Sequence, residues 1–347
     1  MDDYLETITN LLENACPSIQ SRIRTEILGQ PSTNEQVAVL QNQILQDNLV
    51  KTALSWQGSD QWKNSQFHGG RGIESGVRIL CEKGIRKDHP AIIQALDVLR
   101  KEPDIIYRGI GKPGKILDEL GFGGSQMIKA VVFAYAGREH EPCVEKQIKI
   151  ALEGFESILS VESIEDITDR YRNNLVFKPG VMWPGIYHLR LLAYSSQWRT
   201  PDNIHLVTEG VKKLVELSPI PHISVKKGSQ LIAPASFAMQ NFNPTMEKMD
   251  GAAWMQWFHR MELLSRMGII SSIVELKKQV MRLDEMLKKG DGWFVEKIAH
   301  GSFIDWGAYT GLCLEKDWRS AKRRTYDLTF RSLIILWDYL KSQENRF

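Results

Sequence analysis

Apolar residues recur along most of the chain at intervals of three and four, the spacing of one face of an amphipathic helix. The clearest stripe lies in residues 200–217 and consists of Ile204, Val207, Val211, Leu214 and Val215. Thr200 precedes it as a helix cap, and Pro201 suits a first helical turn, where a missing N–H leaves no bond unmade. Residues 273–290 repeat the pattern and end on lysines and a glycine. The pattern therefore predicts a chain dominated by helices.

A second kind of helix is predicted to be apolar on nearly every face. Residues 73–83 carry mostly small and aliphatic side chains, Gly84 ends the segment, and a more polar helix follows from Pro90. This order of Gly- or aromatic-rich turn, apolar helix, break and amphipathic helix recurs five times. The five turns lie near His68, Phe122, Trp183, Trp254 and Phe303.

The fifth unit is predicted to follow the same order. Residues 302–318 would form its apolar helix, and residues 319–340 would form the amphipathic helix outside it. The basic residues of that second helix have the charge to grip a phosphate, but on an outer helix they are predicted to form a solvated face. They are Lys322, Arg323, Arg324 and Arg331.

The apolar helices favour a closed architecture over an open solenoid. A helix that is apolar all round must be buried on all sides, and glycines such as Gly72 and Gly76 would let such helices pack closely. We therefore predict an all-α fold, a single α/α toroid of five or six helical hairpins in residues 34–347 after a helical extension in residues 1–33. Residues 218–246 are predicted to form a long irregular excursion over one end of the ring.

Three short motifs resemble the repeats of the terpenoid cyclases and the protein prenyltransferase β subunits. Residues 120–126 (LGFGGSQ) resemble the Gly-Phe-rich turns of the prenyltransferases, and residues 57–62 (QGSDQW) and 290–294 (GDGWF) resemble the Gln-Trp repeats of the cyclases. The likeness in organisation covers residues 35–341 and implies the toroid fold. The acidic and zinc-binding motifs of these families do not occur in the sequence, so no catalytic residue is carried over.

Composition restricts the class of protein further. A net charge of +2 over 347 residues provides no field that would attract nucleic acid. The four cysteines are widely spaced and are predicted to be reduced thiols rather than a disulfide or zinc framework. The N-terminus is acidic rather than a signal peptide, and no apolar run reaches the roughly eighteen residues of a membrane span. We therefore expect a cytoplasmic chain without a transmembrane segment; the cofactor is unknown, and a protein partner is left open.

Polar side chains gather where the apolar helices begin. Parallel inner helices would bring their N-termini to one end of the ring, where unpaired N–H groups favour an anion. The catalytic candidates are Glu74, His188 and Asp305. The ligand-binding candidates are His68, Arg71, Tyr187, Arg190, Trp183, Trp306 and Tyr309.

The segments FHGGRGIE and WPGIYHLR are predicted to face one shared space. Glu74 would orient a histidine there or act as a base. The alternative is that these polar groups only satisfy one another in a packed core. His259 and Glu262 have the spacing of two metal ligands on one helix face, but no third ligand accompanies them, so no metal site is predicted.

Three interpretations of function remain open from the sequence. The first is a toroid that binds an apolar ligand with an anionic head in its central cavity, with catalysis left open. The second is a carbohydrate-active hydrolase, lyase or epimerase that uses Glu74, His188 or Asp305. The third is a non-catalytic scaffold for protein interactions. Substrate, reaction and oligomeric state do not follow from the sequence.

Overall fold

The computed structural model describes residues 1–58, 60–109 and 111–344, and helix makes up 60% of it. Its α-helices are α1 (Leu5–Asn14), α2 (Pro17–Arg22), α3 (Glu35–Ile44), α4 (Asn48–Gly58), α5 (Gln61–Asn64), α6 (Ile73–Glu82), α7 (Pro90–Lys101), α8 (Gly111–Glu119), α9 (Ser125–Tyr135), α10 (Pro142–Glu156), α11 (Ile164–Ile167), α12 (Ile186–Ala193), α13 (Pro201–Glu216), α14 (Gly251–Met267), α15 (Val274–Lys289), α16 (Gly301–Ile304) and α17 (Ala321–Glu344). Short helical turns of other types cover Asp2–Tyr4, Ile23–Ile27, Pro103–Tyr107, Met246–Lys248 and Ile270–Ser272.

A small sheet accompanies the helices, so the prediction of an all-α fold is correct only for most of the chain. Its strands are β1 (Thr168–Tyr171), β2 (Asn174–Phe177), β3 (Ile223–Lys227) and β4 (Gln230–Ile232). They lie in the order β1-β2-β3-β4, as two antiparallel hairpins joined by a parallel β2–β3 pair. The last two strands lie inside the predicted irregular excursion. The sequence does not predict them, because runs of three to five residues are too short to display a clear period of two.

Five helices form the centre of the core. Helix α6 contacts α9, α9 contacts α12, α12 contacts α14, and α14 contacts α17. All eight residues of α12 and nine of the ten residues of α6 are buried. The predicted burial of the first four apolar helices is therefore confirmed.

Amphipathic helices cover this core, as the spacing of apolar residues predicts. Helix α10 packs on α9, α12 and α13, and α15 packs on α17. The predicted cap of α13 is present, since the Thr200 hydroxyl accepts a hydrogen bond from the Asn203 N–H at 3.3 Å, and Pro201 occupies the first turn.

The fifth unit departs from the prediction. Residues 302–318 contain only the last part of the four-residue α16 and otherwise irregular backbone, whereas α17, predicted to lie outside, is the buried helix. Arg331 has 2% of its surface exposed instead of belonging to a solvated face, although Lys322 is exposed. Ion pairs described below explain this, because they allow a charged residue to lie in a core.

At Gly76 the packing around α6 leaves no room for a side chain. A Cβ on this residue of α6 would lie 2.5 Å from two ring atoms of Trp62, which is itself 3% exposed. We expect Gly76→Ala to lower the free energy of unfolding by about 1–3 kcal/mol, since the buried ring must move. Urea unfolding followed by circular dichroism measures the change.

Gly58, at the end of α4, provides the matched control. Nothing lies within 4 Å of a Cβ placed there. Gly58→Ala should leave stability unchanged or increase it by up to about 1 kcal/mol, because alanine favours the helix. Equal effects of the two substitutions would contradict the close contact with Trp62.

Candidate functional site

A hydrogen-bonded cluster lies where α6 and α12 begin. The Glu74 carboxylate has Oε2 at 2.6 Å from His68 Nδ1, and the Tyr187 hydroxyl donates to its Oε1. The Tyr187 hydroxyl is also 3.2 Å from His68 Nδ1. Glu74 and Tyr187 have no exposed surface, whereas 12% of the His68 side chain is exposed. The imidazole is therefore the member of this group that solvent can reach.

Arg190, one turn after Tyr187 on α12, balances the buried carboxylate. Its Nη1 is 3.7 Å from Glu74 Oε1, and its guanidinium carbon lies 5.0 Å from the centre of the Tyr187 ring. Burial, and then the charge of Glu74, raise the pKa of Tyr187 well above its ordinary value. The phenol therefore keeps its proton and donates a hydrogen bond to the carboxylate.

His259 of α14 lies on the other side of Arg190. Its Nε2 is 3.2 Å from Arg190 Nε and 3.1 Å from Nη2, and therefore accepts from the guanidinium group. Burial, followed by the positive charges of Arg190 and Arg78, lowers the pKa of His259 well below its ordinary value. This imidazole is neutral near pH 7 and extends the cluster towards α14.

Backbone carbonyls of residues 307–311 close the cluster. Arg190 Nη1 donates to the Ala308 oxygen at 2.7 Å. Arg78 donates to three oxygens of the same segment at 2.6–2.8 Å, those of Gly307, Thr310 and Gly311. Two buried arginines thus hold this irregular segment in place.

Aromatic rings surround the imidazole. The Tyr309 ring lies 5.2 Å from the His68 ring and 5.8 Å from the Tyr187 ring, measured between centres. Phe237 stacks on Tyr309 at 5.7 Å. Trp306 lies on the same segment, 5.1 Å from the Arg78 guanidinium carbon. Tyr309, Phe237 and Trp306 are all partly exposed.

The structure brings together five of the residues predicted to form a site. They are His68, Glu74, Tyr187, Arg190 and Tyr309. Trp306 lies next to this cluster, where its ring packs against the Arg78 guanidinium group. Arg71 and Asp305 are exposed instead, and Trp183 packs 5.8 Å from the Phe177 ring of the sheet.

His188 is not part of this cluster, so the predicted shared space does not include it. Successive residues of a helix point about 100° apart, so Tyr187 and His188 face different neighbours. His188 Nδ1 accepts from the Gly185 N–H at 2.9 Å, and its ring lies beside Gly123 and Gly154. Its Nε2 is buried without a protein partner. Burial lowers the pKa of His188 to about 4.

A second charge network, buried except for the partly exposed Glu26 and Arg266, was not predicted from the sequence. It contains three carboxylates and three guanidinium groups, from Arg22, Glu26, Glu82, Glu262, Arg266 and Arg331. Arg331 lies 2.6 Å from Glu262 and 3.2 Å from Glu82, while Arg22 lies 3.0 Å from each. The spacing of Glu74, Arg78 and Glu82, four residues apart on an apolar helix, is the sequence signal that could have revealed a charged inner face.

The pKa values of the network agree with its geometry. Burial alone would raise the pKa of Glu26, but Arg22 and Arg266 outweigh it and lower the value to about 2. Glu82 and Glu262 also have lowered pKa values, because nearby arginines, Arg331 first, outweigh the effect of burial. All three carboxylates are therefore ionised near neutral pH.

Comparison with known proteins finds no counterpart, since no protein-family model, curated protein or solved structure matches the chain. Within residues 1–58, 60–109 and 111–344, no three His, Cys, Asp or Glu side chains are grouped so as to hold a metal ion. In that same part of the chain no helix has the length and apolar character to cross a bilayer.

The buried His188 leads to a prediction about pH. Its pKa falls from an ordinary 6.5 to about 4 on folding. Above pH 6.5 both folded and unfolded chains hold it neutral, and as pH falls from 6.5 towards 4 only the unfolded chain gains the proton. Stability contributed by the neutral imidazole is lost over that window, by about 3 kcal/mol in total.

His188→Gln removes this proton while keeping an acceptor for the Gly185 N–H. We expect urea unfolding between pH 7 and pH 4.5 to show a smaller loss of stability in the variant. The slope of the unfolding free energy against pH should fall by an amount that corresponds to the uptake of up to one proton. His205→Gln, at an exposed position of α13, serves as the control and should leave the slope unchanged. Parallel pH profiles for wild type and His188→Gln would contradict the buried neutral imidazole.

Proposed function

We propose that the protein is an enzyme of the α/α-toroid class in which His68 accepts and returns a proton. The observation that carries the proposal is the 2.6 Å contact between Nδ1 of this partly exposed histidine and the fully buried Glu74 carboxylate. A carboxylate at Nδ1 keeps the proton on that nitrogen and leaves the Nε2 lone pair as a base. Tyr187 and Arg190 hold the carboxylate from its other side, so Glu74 orients the base rather than meeting a substrate.

The order of helix contacts supports a ring of inner helices. Helices α6, α9, α12, α14 and α17 each touch the next, and ion pairs between Arg331 of α17 and Glu82 of α6 join the last helix to the first. The starts of α6 and α12 meet at Glu74 and Tyr187. Tyr135, which ends α9, meets Tyr194, which follows α12, with ring centres 4.4 Å apart. Parallel inner helices account for both meetings.

A small polar carbon acid, such as a sugar with a carbonyl group, is the proposed substrate class. Tyr309 and Phe237 provide flat walls beside the imidazole that suit the apolar face of a sugar ring. A histidine base that removes a proton next to a carbonyl corresponds to the lyase or epimerase interpretation. A hydrolase with two carboxylates has less support, because Glu74 is already held by three side chains and Asp305 is exposed.

An apolar ligand with an anionic head in a central cavity also has less support. The region between the inner helices contains the six-membered charge network, and a hydrocarbon chain placed there would separate buried ion pairs at several kcal/mol each. Arg78 and Arg190 are the cations nearest His68, and both already donate hydrogen bonds to backbone carbonyls instead of to an anionic head.

Exchange of carbon-bound hydrogen in D₂O tests the proposal. Wild-type protein and His68→Gln are incubated with a panel of aldoses, ketoses and uronic acids, and loss of the C–H signal next to the carbonyl is followed by proton NMR. We expect exchange with wild type and a rate at least about 100-fold lower in His68→Gln, the usual contribution of a positioned base. The melting temperature should be preserved, because the glutamine amide can still donate a hydrogen bond to the Glu74 carboxylate.

His140→Gln, at an exposed position between α9 and α10, is the matched control and should exchange substrate like wild type. Equal rates for wild type and His68→Gln would contradict the role of His68. A wild-type protein that exchanges none of the panel would reject carbon acids of this class and favour the scaffold interpretation.

A further inference from the structure

A cleft of about 750 Å³ opens beside the start of α4, α16 and the loop that precedes α17. Its volume falls within the range of about 300–1,000 Å³ that small-molecule sites occupy. His68, Glu74, Tyr187, Arg190 and Tyr309 are not among the residues that line it. The cleft is therefore lined by residues other than those of the proton-transfer site, although it approaches that site through Trp306, which contacts Arg78.

One wall of the cleft is apolar and partly fixed. Trp318 stacks on Phe303 with ring centres 4.7 Å apart, and its indole N–H donates to the buried Asp327 carboxylate at 2.5 Å. Trp306 lines the same cleft, and Ile304 does so with 49% of its surface exposed. A concavity lined by aromatic and aliphatic side chains is typical of a ligand site.

The carboxylates that line the cleft are already paired. Asp47 lies 3.3 Å from Lys83, and Asp317 lies 3.1 Å from Arg319. Glu315 lies 3.3 Å from Arg323, which comes from the adjoining helix α17. These three negative charges therefore have nearby positive partners.

Arg324 and Lys316 supply positive charge beyond those pairs. Arg324 Nη1 donates to the carbonyl oxygens of Trp318 at 2.5 Å and Arg319 at 2.9 Å, which fixes the guanidinium group against the cleft. These two bonds use one nitrogen and leave the fork of the other two for an anion. Lys316 is exposed at the rim.

We propose that this cleft binds a small molecule with a flat apolar body and an anionic group. The body lies against Trp306, Trp318 and Ile304, and a phosphate, sulfonate or carboxylate meets Arg324 and Lys316. The ligand would contact Trp306, on the irregular segment whose carbonyls close the His68 cluster. The proposal does not depend on proton transfer at His68.

Two fluorescent probes that differ in charge test the site. The anion 8-anilinonaphthalene-1-sulfonate is titrated into the full-length protein, and the uncharged N-phenyl-1-naphthylamine is titrated in parallel. Ile304→Asp should weaken binding of both probes at least ten-fold. Lys316→Glu should weaken binding of the sulfonate at least ten-fold and change that of the neutral probe less than two-fold, since only the sulfonate carries charge.

Two exposed residues of α15 outside the cleft provide matched controls. Met281→Asp and Lys278→Glu introduce the same changes there and should leave both affinities unchanged. All four substitutions are at exposed positions, so melting temperatures should stay within a few degrees of wild type. Displacement of the sulfonate by AMP, which combines a flat ring system with a phosphate, would further support the proposal, whereas displacement by farnesyl diphosphate alone would contradict the flat body.

Equal probe affinities in the cleft variants and the α15 controls would overturn the proposal. Loss of both probes on Lys316→Glu would overturn its anionic part. His68→Gln should bind both probes like wild type, which keeps failure of this site distinguishable from failure of the proton-transfer site.

Discussion

The network of three carboxylates and three guanidinium groups in the helical core is the constraint on which the rest of the structure depends. It ties the N-terminal Arg22 to Glu82 of α6 and Glu262 of α14, and ties both of these to Arg331 of α17. Removing one partner of a buried ion pair costs about 3–5 kcal/mol, a large part of the 5–15 kcal/mol that stabilises a typical domain. The ion pairs can all form only when the helices are aligned in one way. The apolar surfaces alone would tolerate several alignments, so we infer that the ion pairs select one of them.

The same alignment positions the candidate site. Glu74, Arg78 and Glu82 follow one another at intervals of four along α6, so the face that enters the network at its C-terminal end carries the carboxylate of the site at its N-terminal end. With α6 and α12 held in register, Tyr187 and Arg190 meet that carboxylate, and no rearrangement is needed to orient His68. Groups fixed before substrate arrives are what efficient catalysis requires.

The helices and much of the cluster could be predicted from the sequence, because burial leaves a period and polar residues at the start of an apolar helix are conspicuous. A period does not say which neighbour a face meets, so the sequence predicts His188 in the space that Tyr187 occupies, whereas the structure turns it towards Gly185. The apolar composition of residues 302–318 predicts a helix. In the structure, buried arginines bind the backbone carbonyls of this segment and hold it in an irregular path. The sequence predicts Arg331 on a solvated face, because its partners Glu82 and Glu262 are far away in sequence.

Nitrogen NMR of histidine-labelled protein tests whether Glu74 holds the proton of His68 on Nδ1. The His68 resonances are assigned by their absence from the spectrum of His68→Gln. At pH 8 we predict a protonated Nδ1, a bare Nε2, and a downfield Nδ1 proton that moves upfield in Glu74→Gln as the charge-assisted hydrogen bond is lost. An imidazole protonated on Nε2, or a spectrum unchanged by Glu74→Gln, would contradict the account.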